Sequence, residues 1–401
     1  MSNNIDIAYA VCIQAGVPVI LWGPPGIGKT MRTQSIAKSL GKPLVEQVCS
    51  TWDPTDVGLP IVERRQDPEL VERLKEDYSN LSHKEVVERL KELFESSHQC
   101  TGDQFARVPP KWAVDCDDNT ILYLDEFSCT PPAVQASALK IVGERKCGDL
   151  ALPKGLSIAM SANPADQAAG GWELAPPMAN RMVHLECSLS ANDWCEGMIS
   201  GWPEMDVPKL PSGWRELVPS KIALVAAYIR RFGESHLLSV PEDEASQGRA
   251  WPSPRSWENL CYLLAAAESC GVGPAVINHL AKGTIGHPAI SFLTFCEQLD
   301  LPDPETLIAD PSLYEHFERG DKVHATLASV AAAVAANNTK KRWENGVQVM
   351  VRAADKGGTD IAAIAFQSLI KTGMPAGAEI DESVTRFFPM LNAAGSMENV
   401  G

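Results

Sequence analysis

The chain has eleven cysteines among its 401 residues, yet no two of them form a CxxC pair. His184 and Cys187 lie close together without a second ligand pair, so no structural zinc site is expected from the spacing. Unpaired thiols of this kind behave as small apolar side chains in a reducing compartment. Long hydrophobic runs are also missing. Apolar runs such as 331–336 fall far short of the roughly 20 residues a membrane-spanning helix needs. The opening Met1-Ser2-Asn3-Asn4-Ile5-Asp6 has no basic flank leading into an apolar segment, so no secretory signal is expected and the cytoplasm is the expected compartment. Basic charge is scarce. Lys and Arg number 35 against 51 Asp and Glu, a formal net charge of −16, which opposes phosphate-backbone binding and favours protein partners. No repeat of fixed period is present.

Hydrophobic residues at 45% and charged residues at 21% suit a globular chain with room for two or three domains. Five short apolar runs, at 18–22, 44–49, 121–125, 157–162 and 182–186, predict the buried strands of a parallel sheet. Helical patterns at 30–40 and 132–144 alternate with them, which implies an α/β core. The turn-rich run 146–153 predicts a hairpin just before the fourth strand. The charged stretch 63–97 carries Leu70, Leu74, Val87, Leu90 and Phe94 at helical spacing and predicts one or two inserted amphipathic helices. Beyond about residue 190 the strand signal stops. Helices are expected near 220–232, 256–269 and 275–282, then in an Ala-rich region including 322–336 and 360–370. The last dozen residues are expected to be loose.

The most specific motif is Gly23-Pro24-Pro25-Gly26-Ile27-Gly28-Lys29-Thr30. It has two glycines separated by four residues, then Lys and Thr, placed between an apolar strand and an amphipathic helix. Glycines let backbone N–H groups turn toward an anion, and the helix start points its positive end at the same place. Lys29 is then placed to reach the β- and γ-phosphates of ATP, and the Thr30 hydroxyl to ligate Mg²⁺. A second motif, Ile121-Leu122-Tyr123-Leu124-Asp125-Glu126, is a buried strand whose tip delivers two carboxylates. Asp125 is the candidate metal ligand, directly or through water, and Glu126 the candidate general base.

These residues resemble AAA+ ATPases, specifically the MoxR-type branch, from about residue 8 to about residue 300. The resemblance adds Thr55-Asp56-Val57-Gly58-Leu59-Pro60, Pro131-Pro132-Ala133-Val134-Gln135, Ser161-Ala162-Asn163-Pro164, Ala179-Asn180-Arg181-Met182 and Trp251-Pro252-Ser253-Pro254-Arg255-Ser256-Trp257-Glu258. It implies a five-stranded parallel core over 1–190 with a charged insert at about 61–105. A helical lid over 191–300 and a helical C-terminal extension over 301–401 follow. It implies Asn163 as the sensor that hydrogen-bonds γ-phosphate and water. It also implies Arg181 as an arginine finger acting on a neighbouring subunit and Arg255 as a lid sensor. A homo-oligomeric ring, of six subunits in the family, follows from a finger acting in trans. Family members commonly work beside a von Willebrand factor A domain. No Asp-x-Ser-x-Ser run occurs in this chain, so such a partner is expected as a separate polypeptide.

The expected role is an ATP-driven remodeller that matures a protein client, with no membrane partner. A nucleic-acid motor or restriction or defence-system subunit is the alternative. It needs a basic pore loop, for which Arg64, Arg65, Lys140, Arg145, Lys146 and Lys154 are the candidates. A nucleotide-gated scaffold with slow turnover is the third reading.

Overall fold

The computed structural model describes residues 3–53, 56, 59–63, 105–148, 150–164, 167, 171–202, 204–299, 301–379 and 382–389. The expected helical insert and its Arg64 and Arg65, half of the Thr55–Pro60 motif, and the last dozen residues lie outside them. The chain forms two compact units, one of residues 1–207 with 242–250, the other of 208–241 with 251–401.

The first unit opens with helix α1 (Asn4–Ala15), started by a reciprocal cap between Asn3 and Asp6 and stopped by Gly16 in the left-handed region. Strand β1 (Val19–Trp22), helix α2 (Lys29–Leu40) and strand β2 (Leu44–Val48) follow. An antiparallel pair, β3 (Leu59–Glu63) and β4 (Phe105–Val108), flanks the residues outside the described set. Short helix α3 (Lys111–Val114), strand β5 (Ile121–Asp125) and helix α4 (Pro132–Glu144) come next. Then β6 (Lys146–Cys147) and β7 (Leu150–Ala151) make the expected hairpin. Strand β8 (Ser157–Ala162), short helix α5 (Pro176–Ala179), strand β9 (Val183–Glu186) and helix α6 (Ala191–Ser200) complete the run.

Five strands form one sheet in the order β2-β5-β8-β1-β9, and every pairing in it is parallel. All four residues of β1 and all six of β8 are buried, the continuous apolar pattern of strands covered on both faces. Ile20, Trp22, Leu122, Leu124, Ile158 and Met160 share a core with α4 residues Val134, Ala138 and Ile141. All five expected strands are present within a residue at either end. The parallel register puts the carboxyl ends of β1, β5 and β8 side by side, where open α/β sheets bind ligands.

The second unit is helical among its described residues. Helices α7 (Val218–Phe232), α10 (Pro254–Ser269), α11 (Pro274–Ile285) and α12 (Ala289–Leu299) enclose one core around Tyr228, Trp257 and Phe292. The two short helices between α7 and α10 are α8 (Glu234–Leu237), in this unit, and α9 (Glu244–Gln247), in the first. Helices α13 (Pro304–Ala309), α14 (Gly320–Ala336), α15 (Lys340–Asp355) and α16 (Thr359–Lys371) build a second core around Trp343, Met350 and Phe366. Helix α14 packs along α7 and so joins the two cores. Among the described residues no helix is long and apolar enough to cross a membrane.

Candidate functional site

The loop after β1 is shaped by glycine. Gly26 and Gly28 have φ of 82° and 87°, a region that side-chain-bearing residues rarely enter. A Cβ on Gly23 would come within 2.7 Å of the Cys187 carbonyl oxygen. Neighbouring strands anchor the loop on both sides. Gly23 N–H donates to the Ala162 carbonyl (3.2 Å) and Cys187 N–H to the Trp22 carbonyl (2.7 Å). Helix α2 starts at once, leaving the N–H groups of its first turn free of intrahelical partners and pointing at the loop. Behind it, the Tyr9 and Thr33 hydroxyls pair at 3.0 Å and Arg32 bridges to Asp6 at 2.6 Å, fixing α2 on α1.

Lys29 is buried, and its ammonium donates to the Gly23 carbonyl (2.7 Å), the Pro24 carbonyl (3.0 Å) and Asn163 Oδ1 (2.7 Å). Burial lowers the Lys29 pKa, while Cys187, Asp125 and Glu126 pull it back up. The Thr30 hydroxyl donates to Asp125 Oδ2 at 2.7 Å. Asp125 Oδ1 accepts from the Tyr123 hydroxyl (3.0 Å), from Glu126 N–H (3.0 Å) and from the Ser161 hydroxyl. Tyr123 is pushed above the ordinary tyrosine range, first by burial and further by Asp125, so its hydroxyl stays a donor.

Glu126 is exposed at the strand tip with φ 55°, an uncommon conformation for glutamate. Its N–H also reaches Ser161 Oγ (3.1 Å), and its carboxylate accepts from Ser50 Oγ at 2.6 Å. Ser50 sits in the 3-10 turn Cys49–Thr51 after β2. Sequence reasoning did not single out Ser50, Tyr123 or Ser161. Tyr123 was the findable one, since it stands two residues before Asp125 and so on the same face of the strand. Asn163 is buried at the end of β8, its N–H donating to Ser128 Oγ at 3.0 Å.

Lys29, Thr30, Asp125, Glu126 and Asn163 therefore converge at the carboxyl ends of three adjacent strands. Arg181 does not join them. It precedes β9, whose Val183 is in register with Val19 and Glu186 with Trp22, so more than about 10 Å of strand rise separates it from the loop end. Its guanidinium donates to the Pro177 carbonyl at 2.6 Å and lies over Gly143 of α4. Arg255 is exposed in the first turn of α10, in the second unit. Arg145, a candidate for a basic pore loop, is instead turned inward. It donates to the Gly16 carbonyl at 3.0 Å and to the Leu156 carbonyl, and burial lowers its pKa. Lys140, Lys146 and Lys154 are exposed.

A Ser or Thr hydroxyl facing a carboxylate across 2.7 Å offers two hard oxygens to one cation, which fits a magnesium site. The donor ammonium of Lys29 and the α2 N-terminus beside it fit the phosphates of a nucleotide.

Residues 18–181 match the family model of the AAA domain, dynein-related subfamily. The matched segment holds every residue of the converged site and ends at Arg181. Among solved structures, a presumed ATPase from Cytophaga hutchinsonii ATCC 33406 is similar at 16% identity and a TM-score of 0.43, over 73% of this chain and 88% of that one. A resemblance that loose carries no argument. The search of curated proteins gave no match.

Proposed function

We propose that the chain is an ATPase of the AAA+ class, of MoxR type, that hydrolyses MgATP to remodel a protein client. The observation that carries this reading is the Thr30–Asp125 contact at 2.7 Å, with Lys29 and Asn163 beside it. Thr30 and Asp125 would hold the metal, which when bound neutralises charge on the β- and γ-phosphates. The loop N–H groups and the α2 N-terminus cradle the phosphates. Lys29 leaves the Gly23, Pro24 and Asn163 oxygens for phosphate oxygen. Glu126 leaves Ser50 and accepts a proton from the attacking water. The Asn163 amide, freed of Lys29, orients that water and the γ-phosphate without adding charge.

Arg181 at the opposite end of the sheet supports action on a neighbouring copy rather than on its own nucleotide. A ring assembly, with six subunits as in the MoxR-type branch, is part of the proposal. In it the first unit is the nucleotide-binding domain. The second unit supplies the lid, with Arg255 as its sensor, and the C-terminal extension. A separate von Willebrand factor A domain protein is the proposed partner. The net charge of −16 and the inward-turned Arg145 favour a protein client over nucleic acid.

Calorimetric titration with ATP and Mg²⁺ tests the site. Lys29→Ala should weaken nucleotide binding by at least about tenfold, the scale of one charged hydrogen-bond partner. Unchanged affinity in a folded variant would remove the loop as the binding site.

A further inference from the structure

Asp125 accepts four hydrogen bonds, divided unequally between its oxygens. Oδ1 takes three, from the Tyr123 hydroxyl (3.0 Å), the Ser161 hydroxyl and Glu126 N–H (3.0 Å). Oδ2 takes one, from Thr30 at 2.7 Å. A carboxylate offers about two lone-pair directions per oxygen, so three donors saturate Oδ1. The bracket is rigid as well as full. Tyr123 and Ser161 are both completely buried, on the paired strands β5 and β8, whose register matches Tyr123 with Ala159 and Leu124 with Met160. Ser161 also accepts from Glu126 N–H at 3.1 Å, which ties the strand tip to the same hydroxyl.

Resting on the ATPase reading above, we propose that Tyr123 and Ser161 are positioning residues that reserve a single oxygen of Asp125 for the cation and thereby set its choice of metal. With Oδ1 occupied, only Oδ2 faces the Thr30 hydroxyl and the phosphate loop. Mg²⁺ demands near-octahedral geometry and keeps several waters, so one carboxylate oxygen suffices. Ca²⁺ takes six to eight oxygens and gains from a carboxylate that offers both. A carboxylate fixed as a one-oxygen donor therefore disfavours the larger ion. Partners one step removed from a metal commonly govern affinity by tenfold or more when lost.

The test uses the full chain as wild type, Tyr123→Phe, Ser161→Ala and Ser161→Thr. Binding of a fluorescent, non-hydrolysable ATP analogue is titrated against Mg²⁺ and, separately, Ca²⁺. In Tyr123→Phe and Ser161→Ala the half-saturating Mg²⁺ concentration should rise by about tenfold, while that of Ca²⁺ changes less, so the preference for Mg²⁺ narrows. Ser161→Thr, which keeps the hydroxyl, should restore the wild-type preference. Melting curves without metal report folding. Should Ser161→Ala fail to fold, Tyr123→Phe, which removes one oxygen atom, decides alone. Variants that melt like wild type and keep its Mg²⁺-to-Ca²⁺ ratio would overturn the positioning role and leave the ATPase reading standing. A folded wild type that binds the analogue with no dependence on either cation would instead defeat the ATPase reading, and this inference with it.

Discussion

At the scale of single residues, the polar groups of the site bond to one another. Lys29 spends its three donors on two loop carbonyls and Asn163, and Glu126 rests on Ser50. Asn163 thus competes with phosphate for Lys29 before binding and is proposed to assist catalysis afterwards, two effects of opposite sign. Asn163→Ala should therefore lower kcat by about a hundredfold, the scale of one lost transition-state donor, without raising the KM for ATP. Steady-state kinetics separate the two. A raised KM with unchanged kcat would show that Asn163 serves binding alone. The sequence made Lys29 and Asn163 visible as types of residue in a motif, but not that they bond to each other, because the pairing of β1 and β8 brings them together across 134 positions.

At the scale of elements, the strands at one edge of the sheet are pinned by a buried polar pair. Trp22 on β1 donates its Nε1–H to His184 Nδ1 on β9 at 2.9 Å, so His184 Nε2 carries the proton toward the Ala179 carbonyl at 2.9 Å. Arg249 covers the Trp22 ring from 3.5 Å and bridges to Glu186 at 2.9 Å. Burial lowers the His184 pKa to about 4, the Ala179 carbonyl opposing and the Arg249 charge adding. The unfolded chain takes up a proton near the usual value of about 6.5. This contribution is therefore complete above about pH 6.5 and is lost progressively as pH falls toward 4, roughly 3 kcal/mol in all. Urea unfolding at several pH values should show that slope, and His184→Gln should flatten it; an equal slope in the variant would place the proton uptake elsewhere.

The parallel strands and the hairpin were legible because short apolar runs bounded by Gly and Pro have few other solutions. Helix α1 and helix α15 were not singled out. In α1 apolar residues surround the axis, so no stripe stands out, and its signature is the Asn3–Asp6 cap. Helix α15 carries Gly346 at its centre, which reads as a breaker. In the fold it allows close approach to α14, where a Cβ would come within 2.9 Å of Val334. The Ser50 contact was out of reach for another reason. The turn after β2 has no motif of its own, and only the β2–β5 register places it beside Glu126.

At the scale of the whole molecule, the proposal requires more than one copy, because Arg181 is held at the end of the sheet away from its own phosphate loop. Mixing Arg181→Ala chains with Glu126→Gln chains should restore part of the ATP turnover that each lacks alone, since a mixed interface can pair an intact finger with an intact base. Absence of any rescue, with co-assembly shown by sizing, would argue that Arg181 does not act in trans. The central claim is tested most directly by the fate of bound nucleotide. Radiolabelled ATP given to wild type and to Glu126→Gln with Mg²⁺ should be recovered as ADP and phosphate from the first and as intact bound ATP from the second. Equal phosphate release from both, or no bound nucleotide on either, would contradict the account.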